Sequence, residues 1–200
     1  LPSARGYGEP LTGRFVLPAG ATVSTVIMAP PDQRLLMASD AGYGFIATFD
    51  DLVTRNTKGK AVLSLPKGAQ PLSPILFERV DEQLLAAVTS EGRMLVFPLG
   101  ILPALAKGKG NKIIQIPAKR ARERQELLTH LCLIPAEGSL TIFAGKRFFK
   151  LTAGNLAQYA GERGRRGKKL PRGFQNVDRL ESEAPAQAPL ALTPDDGDPS

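Results

Sequence analysis

Four short segments of the 200-residue sequence combine lysine and arginine with glycine. They span residues 5–8, 55–60, 107–112 and 163–169 and read RGYG, RNTKGK, KGKGNK and RGRRGKK. Cationic side chains neutralise phosphate oxygens, and glycine lets backbone N–H groups approach the same oxygens because it has no side chain. These segments therefore offer the chemistry of polyanion binding through phosphates, with little information about base sequence.

The cationic side chains of these segments are the candidate binding residues. They are Arg5, Arg55, Lys58, Lys60, Lys107, Lys109, Lys112, Arg163, Arg165, Arg166, Lys168 and Lys169. Any one such segment is an ordinary solvated turn in most proteins. Four of them at the same place in a repeat favour a binding function, because clustered charge marks a nucleic-acid surface.

The elements that position these segments form an internal repeat of about fifty residues. Prolines at positions 18, 66, 117 and 171 are 48, 51 and 54 residues apart, and glycines in turns at positions 42, 92 and 145 are 50 and 53 apart. Each unit contains short runs of Val, Ile, Leu and Phe separated by glycine turns, which predicts about four strands. Because the basic segments precede the first strand of each unit, they should lie along one rim.

Four-stranded units of this length predict an all-β, propeller-like fold with about three blades and part of a fourth. We assign residues 1–180 to this domain. Residues 181–200 are rich in Ala, Pro and Asp, and we expect them to form a disordered acidic tail.

Little helix is expected in this chain. The segment from Arg122 to Thr129 is the best candidate, with one or two turns after Pro98 and near Asn155 to Tyr159. The nearby charges are interpreted as an exposed helix face with i,i+3 and i,i+4 pairs. They are Arg120, Arg122, Arg124, Glu123 and Glu126.

The charge is divided between two parts of the chain. Residues 1–177 carry a net charge of +12 and residues 178–200 a net charge of −5. So basic a domain is expected to bind a polyanion: nucleic acid first, then anionic lipid or an acidic protein. No apolar run approaches the ~20 residues of a membrane span, and the sequence opens with neither an initiator methionine nor a charged-then-apolar leader. We therefore expect a cytoplasmic protein whose residue 1 is an internal cut.

Other residues that could do chemistry have ordinary structural interpretations. His130 stands alone without Cys or Glu at metal-ligand spacing, so no metal site is expected. Cys132 lies in an apolar run and is expected to be a small buried thiol. The acidic pairs at 50–51 and 81–82 fall at turns, where capping is their usual role. The glycine-rich segments lack the strand–loop–helix context of a nucleotide-binding motif.

Four stretches resemble the C-terminal domain of the A subunit of bacterial DNA topoisomerase IV, a family related to gyrase A. They are residues 1–11, 40–45, 107–114 and 161–167. The resemblance covers nearly all of residues 1–180. It implies a β-pinwheel, a propeller-like ring whose blades exchange a strand, which binds and bends duplex DNA along its basic outer rim.

The resemblance also implies where the rest of the enzyme lies. A paired B subunit hydrolyses ATP in a heterotetramer, and an active-site tyrosine in the amino-terminal region of the A subunit cuts and rejoins DNA during decatenation and supercoil relaxation. None of Tyr7, Tyr43 and Tyr159 has a matching context, so we interpret them as turn or packing residues. We expect this chain to be a non-catalytic, nucleoid-associated part of a type II topoisomerase, with ATP and Mg used on other domains or subunits.

Gyrase A carries the box Gln-Arg-Arg-Gly-Gly-Lys-Gly, and the nearest stretch here, residues 163–169, departs from it. That departure favours topoisomerase IV and argues against complete, gyrase-like wrapping. With three full repeats and part of a fourth, the chain should lack at least one blade and form an open arc.

Two further functions remain as alternatives. A propeller-like scaffold could bind an acidic protein partner through the same rim and would not bind DNA. A propeller hydrolase would need paired acids or metal ligands around a central channel, and the sequence offers no such set. We also expect residues 181–200 to occupy the basic rim transiently and to compete with DNA.

Overall fold

A computed structural model describes residue 17 and residues 19–56 and 58–185. This part of the chain consists mainly of short strands. They are β1 Arg34–Ser39, β2 Tyr43–Thr48, β3 Ile75–Phe77, β4 Gln83–Thr89, β5 Arg93–Pro98, β6 Asn111–Lys112, β7 Leu128–Pro135, β8 Ser139–Ala144, β9 Arg147–Leu151, β10 Lys168–Lys169 and β11 Arg179–Glu183. The all-β prediction is confirmed.

The strands form three antiparallel sheets that exchange strands along the chain. Their orders are β3-β1-β2-β6, β10-β5-β4-β7 and β11-β8-β9. Strand β6 follows the β4–β5 hairpin in sequence but returns to the first sheet, and β10 follows the β8–β9 hairpin but returns to the second. The first two sheets thus have the predicted four strands, and three strands of the third lie in the described part of the chain. This exchange is the β-pinwheel arrangement.

The hydrophobic core lies between successive sheets. One cluster joins the first and second sheets and includes Leu36, Ile46, Leu85 and Phe97. A second cluster joins the second and third sheets and includes Val88. Because both faces of the middle sheet are covered, its central strands β4 and β5 are apolar along most of their length, as expected for a blade between two neighbours.

Each of the three main hairpins turns at a glycine. Gly42, Gly92 and Gly145 have φ values of 83°, 64° and 59°. Glycine reaches these left-handed conformations without a steric cost, which explains its recurrence at this place in the repeat. The predicted turns and the strands that flank them are confirmed.

The predicted helix from Arg122 to Thr129 is wrong. The helices of the described residues are α1 Phe49–Leu52, α2 Ala118–Arg122 and α3 Ala153–Leu156, and single 3₁₀ turns lie at 99–101 and 157–159. Helix α2 ends because Arg124 takes a left-handed conformation, with φ of 54°. Leu128 then joins β7, and its backbone N–H donates to the carbonyl of Asp40 at 2.7 Å. The turns predicted after Pro98 and near Asn155 to Tyr159 are present.

Strand β11 extends past the predicted end of the domain. It pairs with β8 from Arg179 opposite Phe143 to Glu183 opposite Ser139. Residues 181–183 therefore belong to the third sheet, and the boundary predicted at residue 181 falls inside a strand. Leu180 and Ser182 point toward the protein while their neighbours are exposed, so a half-buried strand is hidden in a polar sequence. The disorder predicted beyond residue 185 concerns residues outside the described part.

Residues with ordinary structural interpretations have matching contacts. The ring nitrogens of His130 lie 3.0 Å from the Thr129 hydroxyl and from the carbonyl oxygen of Asp178. Asp51 caps α1, accepting from the backbone N–H and hydroxyl of Thr48 at 3.0 and 2.7 Å, and these hydrogen bonds lower the pKa of Asp51. Burial raises the pKa of the Cys132 thiol. Within the described residues, no helix has both the length and the apolar character needed to cross a membrane.

Candidate nucleic-acid interface

The basic segments 107–112 and 163–169 contain the two exchanged strands. Lys112 in β6 pairs with Tyr43 at the start of β2, and Lys169 in β10 pairs with Arg93 at the start of β5. The residue after each lysine donates a hydrogen bond to the carbonyl of a turn glycine, from Ile113 to Gly42 and from Leu170 to Gly92. The two segments therefore occupy equivalent edges of successive sheets, as their place in the repeat predicts.

Hydrogen bonds also join the basic segments to one another. The backbone of Gly108 donates to Val62 and accepts from Ser64, which connects it to the stretch that follows residues 55–60. Farther along, Gly164 donates to Ile113 at 2.9 Å, and Gln115 donates to Arg165 at 2.9 Å. We call segments 55–60, 107–112 and 163–169 together the basic rim. These bonds link each part of the basic rim to the residues that directly follow the preceding part, so the three parts lie in series.

Glycines in the basic rim allow the close approach of strands. A Cβ atom on Gly110 would lie 2.2 Å from the carbonyl oxygen of Gly44, and one on Gly167 would lie 2.7 Å from that of Met94. Both glycines have positive φ. At these two positions glycine serves the contact between the exchanged strand and its sheet, in addition to any contact with phosphate.

Most of the predicted binding residues are exposed on the basic rim. Arg55, Lys58, Lys60, Lys107, Lys109, Arg165, Lys168 and Lys169 are exposed or nearly so, and Lys112, Arg163 and Arg166 are half-buried. Lys60 donates to the carbonyl of Asp51, and Arg165 pairs with the exposed Glu162. Such solvent-exposed interactions are weak, so they leave these side chains available to an anionic ligand. Arg5 lies outside the described residues.

Two arginines among the predicted binding residues make hydrogen bonds within the protein. Arg163 donates to the carbonyl of Lys112 at 2.7 Å. Arg166 binds both carboxylate oxygens of the buried Glu126 at 2.6 Å and the carbonyl of Gln115 at 3.1 Å. The guanidinium of Arg166 is thus already engaged. Arg166 therefore differs from the exposed lysines, although its charge placed it among the candidate binding residues in the sequence.

The structure adds Tyr43 and Arg93 to the residues that shape the basic rim. The ammonium group of Lys109 lies 4.4 Å from the centre of the Tyr43 ring, and that of Lys112 lies 6.0 Å away. Cation–π attraction therefore orients these two lysines. Arg93 donates to the carbonyl of Gly167 at 3.2 Å. The sequence signal for both was their place directly after the turn glycines Gly42 and Gly92.

The predicted exposed helix face around residue 120 is wrong. Glu126 is fully buried, and Asp40, which is 5% exposed, binds Arg124 at 2.9 Å. Arg120 reaches Glu91 at 2.7 Å and Glu126 at 3.6 Å. These charges connect the first and second sheets because the segment after α2 passes between their hairpin turns. In the described ranges, no group of His, Cys, Asp and Glu is placed to hold a metal ion.

Comparison with known proteins agrees with the fold. A family model described as the DNA gyrase C-terminal domain, beta-propeller, matches residues 33–70 and 83–131. The solved structure of the E. coli ParC C-terminal domain is 52% identical and superposes with a TM-score of 0.85, covering 92% of this chain and 74% of that one. A gyrase A C-terminal domain, 14% identical with a TM-score of 0.59, covers 78% of this chain and 50% of its own, and shows a shared fold.

Curated sequences give the same result. The A subunit of DNA topoisomerase 4 from Escherichia coli K12 is 53% identical over 188 residues, which is 94% of this chain and 25% of the relative. Its counterpart from Pseudomonas aeruginosa is 51% identical over 187 residues, again 94% of this chain and 25% of the relative. The chain thus spans about a quarter of the length of the curated relatives that it matches.

The strand-exchanged sheets and their basic rim define a β-propeller of the gyrase C-terminal class. Within that class, the chain belongs to the family of C-terminal domains found in the A subunit of bacterial topoisomerase IV.

Proposed function

We propose that this chain binds duplex DNA along the basic rim, without sequence preference, and bends it. The observation that carries the proposal is that segments 107–112 and 163–169 lie on equivalent edges of successive sheets, with hydrogen bonds that link the three parts of the basic rim through the residues next to them. A series of this kind presents lysine and arginine side chains along a line, which matches a row of phosphates better than it matches a compact ligand. Contacts to phosphate fix the position of the duplex and carry no base information.

The proposed place of this function is the type II topoisomerase reaction. The rim would hold one segment of DNA, curve it and deliver it to the strand-passage site in the remainder of the A subunit. ATP hydrolysis would take place on the B subunit of a heterotetramer, and ATP and Mg would bind outside this chain. The enzyme would act on DNA in the bacterial nucleoid. The support for this assignment is the family to which the chain belongs.

The proposal is tested by the salt dependence of DNA binding. If about six phosphates are neutralised, log K should fall against log salt with a slope of about −5, because each contact on B-DNA contributes ~0.9. A fluorescence titration of the 200-residue chain with duplexes of several sequences measures this slope. Similar affinities for all sequences are expected. A flat salt response would overturn the proposal, and the absence of DNA binding would favour the scaffold that binds an acidic protein.

A further inference from the structure

Glu126 is a fully buried carboxylate next to the basic rim. Arg166 donates to its two oxygens at 2.6 Å each, and the hydroxyl of Thr89 donates to Oε1 at 3.0 Å. Arg120 lies 3.6 Å from Oε2. A buried carboxylate with a bidentate arginine is a strong, geometrically fixed interaction, because the Glu126 carboxylate is removed from water, Arg166 is half-buried, and the planar fork allows one orientation.

The partners of Glu126 come from separate parts of the fold. Thr89 ends β4 in the second sheet, and the residue after Glu126 exchanges hydrogen bonds with Ser90. Leu128, two residues farther on, donates to Asp40 in the first hairpin turn. Arg166 belongs to the third part of the basic rim. The carboxylate thus connects that part of the rim to the place where the first and second sheets meet.

Arg166 also connects two parts of the rim to each other. Its guanidinium donates to the carbonyl of Gln115, and the backbone N–H of Gln115 donates to the carbonyl of Arg165. With the bond from Gly164 to Ile113, residues 163–166 lie alongside residues 112–115. The spacing between the lysines of segment 107–112 and those of segment 163–169 is therefore set by these backbone hydrogen bonds and by Arg166, whose guanidinium is held by Glu126.

We propose that Glu126 is a positioning residue for the basic rim: acting through Arg166, it fixes the relative placement of segments 107–112 and 163–169 and thereby sets the curvature imposed on bound DNA. This inference rests on the proposed DNA-binding function. Arg166 does not contact phosphate in this arrangement, because turning toward DNA would leave the Glu126 carboxylate buried without its main partner. The charge of Arg166 thus holds the segments of the rim in place, while the exposed lysines contribute the affinity for DNA.

The test separates bending from affinity in the full 200-residue chain. A duplex of about 30 base pairs carries a donor and an acceptor dye at its two ends, and energy transfer is measured at saturating protein. In E126Q, Arg166 keeps its charge but loses the carboxylate charge and one of its two acceptor oxygens. We expect the salt slope of binding to be at least as steep as in the unmodified chain, because the released Arg166 is free to turn toward phosphate, while energy transfer at saturation falls toward that of free duplex.

Two further variants keep the test decisive. E162Q is the matched control: it changes net charge by the same amount and frees the neighbouring Arg165, but Glu162 and Arg165 are exposed (77% and 73% side-chain exposure). It should bend DNA like the unmodified chain. R166K keeps the charge and loses the bidentate fork, so it should bend DNA less at an unchanged salt slope, and it replaces E126Q if that variant does not fold.

The outcomes are distinguishable from failure of the proposed function. If the unmodified chain does not bind DNA, the proposed function fails. If it binds and bends DNA, and folded E126Q and R166K bend it equally well, the positioning role of Glu126 is overturned. R166Q removes the charge of Arg166. If this variant still bends DNA and its salt slope becomes shallower by about 0.9, Arg166 is a phosphate contact, and the proposal is overturned.

Discussion

The backbone of Gly110 in the basic rim packs directly against Gly44 in β2. A Cβ atom on Gly110 would lie 2.2 Å from the carbonyl oxygen of Gly44 and 3.0 Å from its Cα. Gly44 is also crowded by the neighbouring strand β1, because a Cβ atom on Gly44 would lie 2.6 Å from the carbonyl oxygen of Met37. The pairing of an exchanged strand with its sheet therefore depends on two glycines in contact.

Replacing Gly110 with alanine should destabilise the protein by about 3 kcal/mol or more. The new Cβ atom would collide with backbone, which costs roughly 1–3 kcal/mol, and the positive φ adds about 1 kcal/mol. Denaturant unfolding of G110A measures the loss. G59A is the matched control, because Gly59 has φ of +80° and a Cβ atom added there would meet nothing within 4 Å. That variant should lose about 1 kcal/mol. Equal losses in both would mean that crowding at Gly110 is relieved by movement of β6.

Neutralising Lys107, Lys109 and Lys112 together should weaken DNA binding to every sequence about equally. Phosphate contacts carry no base code, and three lost contacts should make the salt slope shallower by up to about 3. The triple glutamine variant is compared with the unmodified chain by titration over a range of salt concentrations. Loss confined to some sequences would contradict a phosphate-binding rim.

The control for this experiment is R79Q. Arg79 is exposed and follows β3, which forms the edge of the first sheet opposite to β6. Removing this cation should leave the salt slope unchanged, because Arg79 is separated from the basic rim by the width of the sheet. A change as large as one third of that in the triple variant would mean that DNA binding follows net charge and not the rim.

Most of the fold could be predicted from the internal repeat of about fifty residues. Gly42, Gly92 and Gly145 mark real turns because only glycine adopts their backbone conformation cheaply, so the pattern is local and readable. The equivalent placement of Lys112 and Lys169 follows from the same period. The strand exchange came from family resemblance, since two-residue strands such as β6 and β10 have no periodicity to detect.

Long-range charge pairing was not readable in the same way. Glu126 and Arg166 are 40 residues apart and look like surface residues in their own segments. Helical i,i+4 spacing around Arg120 suggested a solvated face, whereas the helix ends at Arg122, the chain turns at Arg124, and Glu126 is buried between two sheets. The end of β11 was missed for a related reason: its charged residues alternate with residues that face the protein, and composition averages over both faces.

The position of β11 predicts different behaviour for two shortened chains. Ending the chain at residue 180 removes the pairing of residues 181–183 with β8, and with it most of the strand that packs against β7, where Cys132 lies. Cys132 should then react with a thiol reagent at neutral pH faster by about tenfold or more, because local opening exposes it. A chain ending at residue 185 should react like the full chain. Equal rates in both shortened chains would show that residues 181–183 do not protect the thiol.

Removing only residues 186–200 tests the predicted competition between the acidic tail and DNA. This segment contains Asp195, Asp196 and Asp198 and no lysine or arginine, so it is attracted to the same rim as phosphate. The shortened chain should bind DNA about two- to fivefold more tightly at low salt, and the difference should vanish at high salt, where screening weakens attraction between exposed charges.

A full-length variant in which all three aspartates are replaced by asparagine separates charge from length. It should bind as tightly as the chain that ends at residue 185, because competition for the rim depends on the carboxylates. If shortening tightens binding but the asparagine variant does not, the segment hinders DNA by its bulk. If both variants bind DNA with unchanged affinity, the tail does not compete with DNA, and its net charge does not influence DNA binding by the rim. Ending the chain at residue 185 and not at 180 keeps this measurement free of damage to β11.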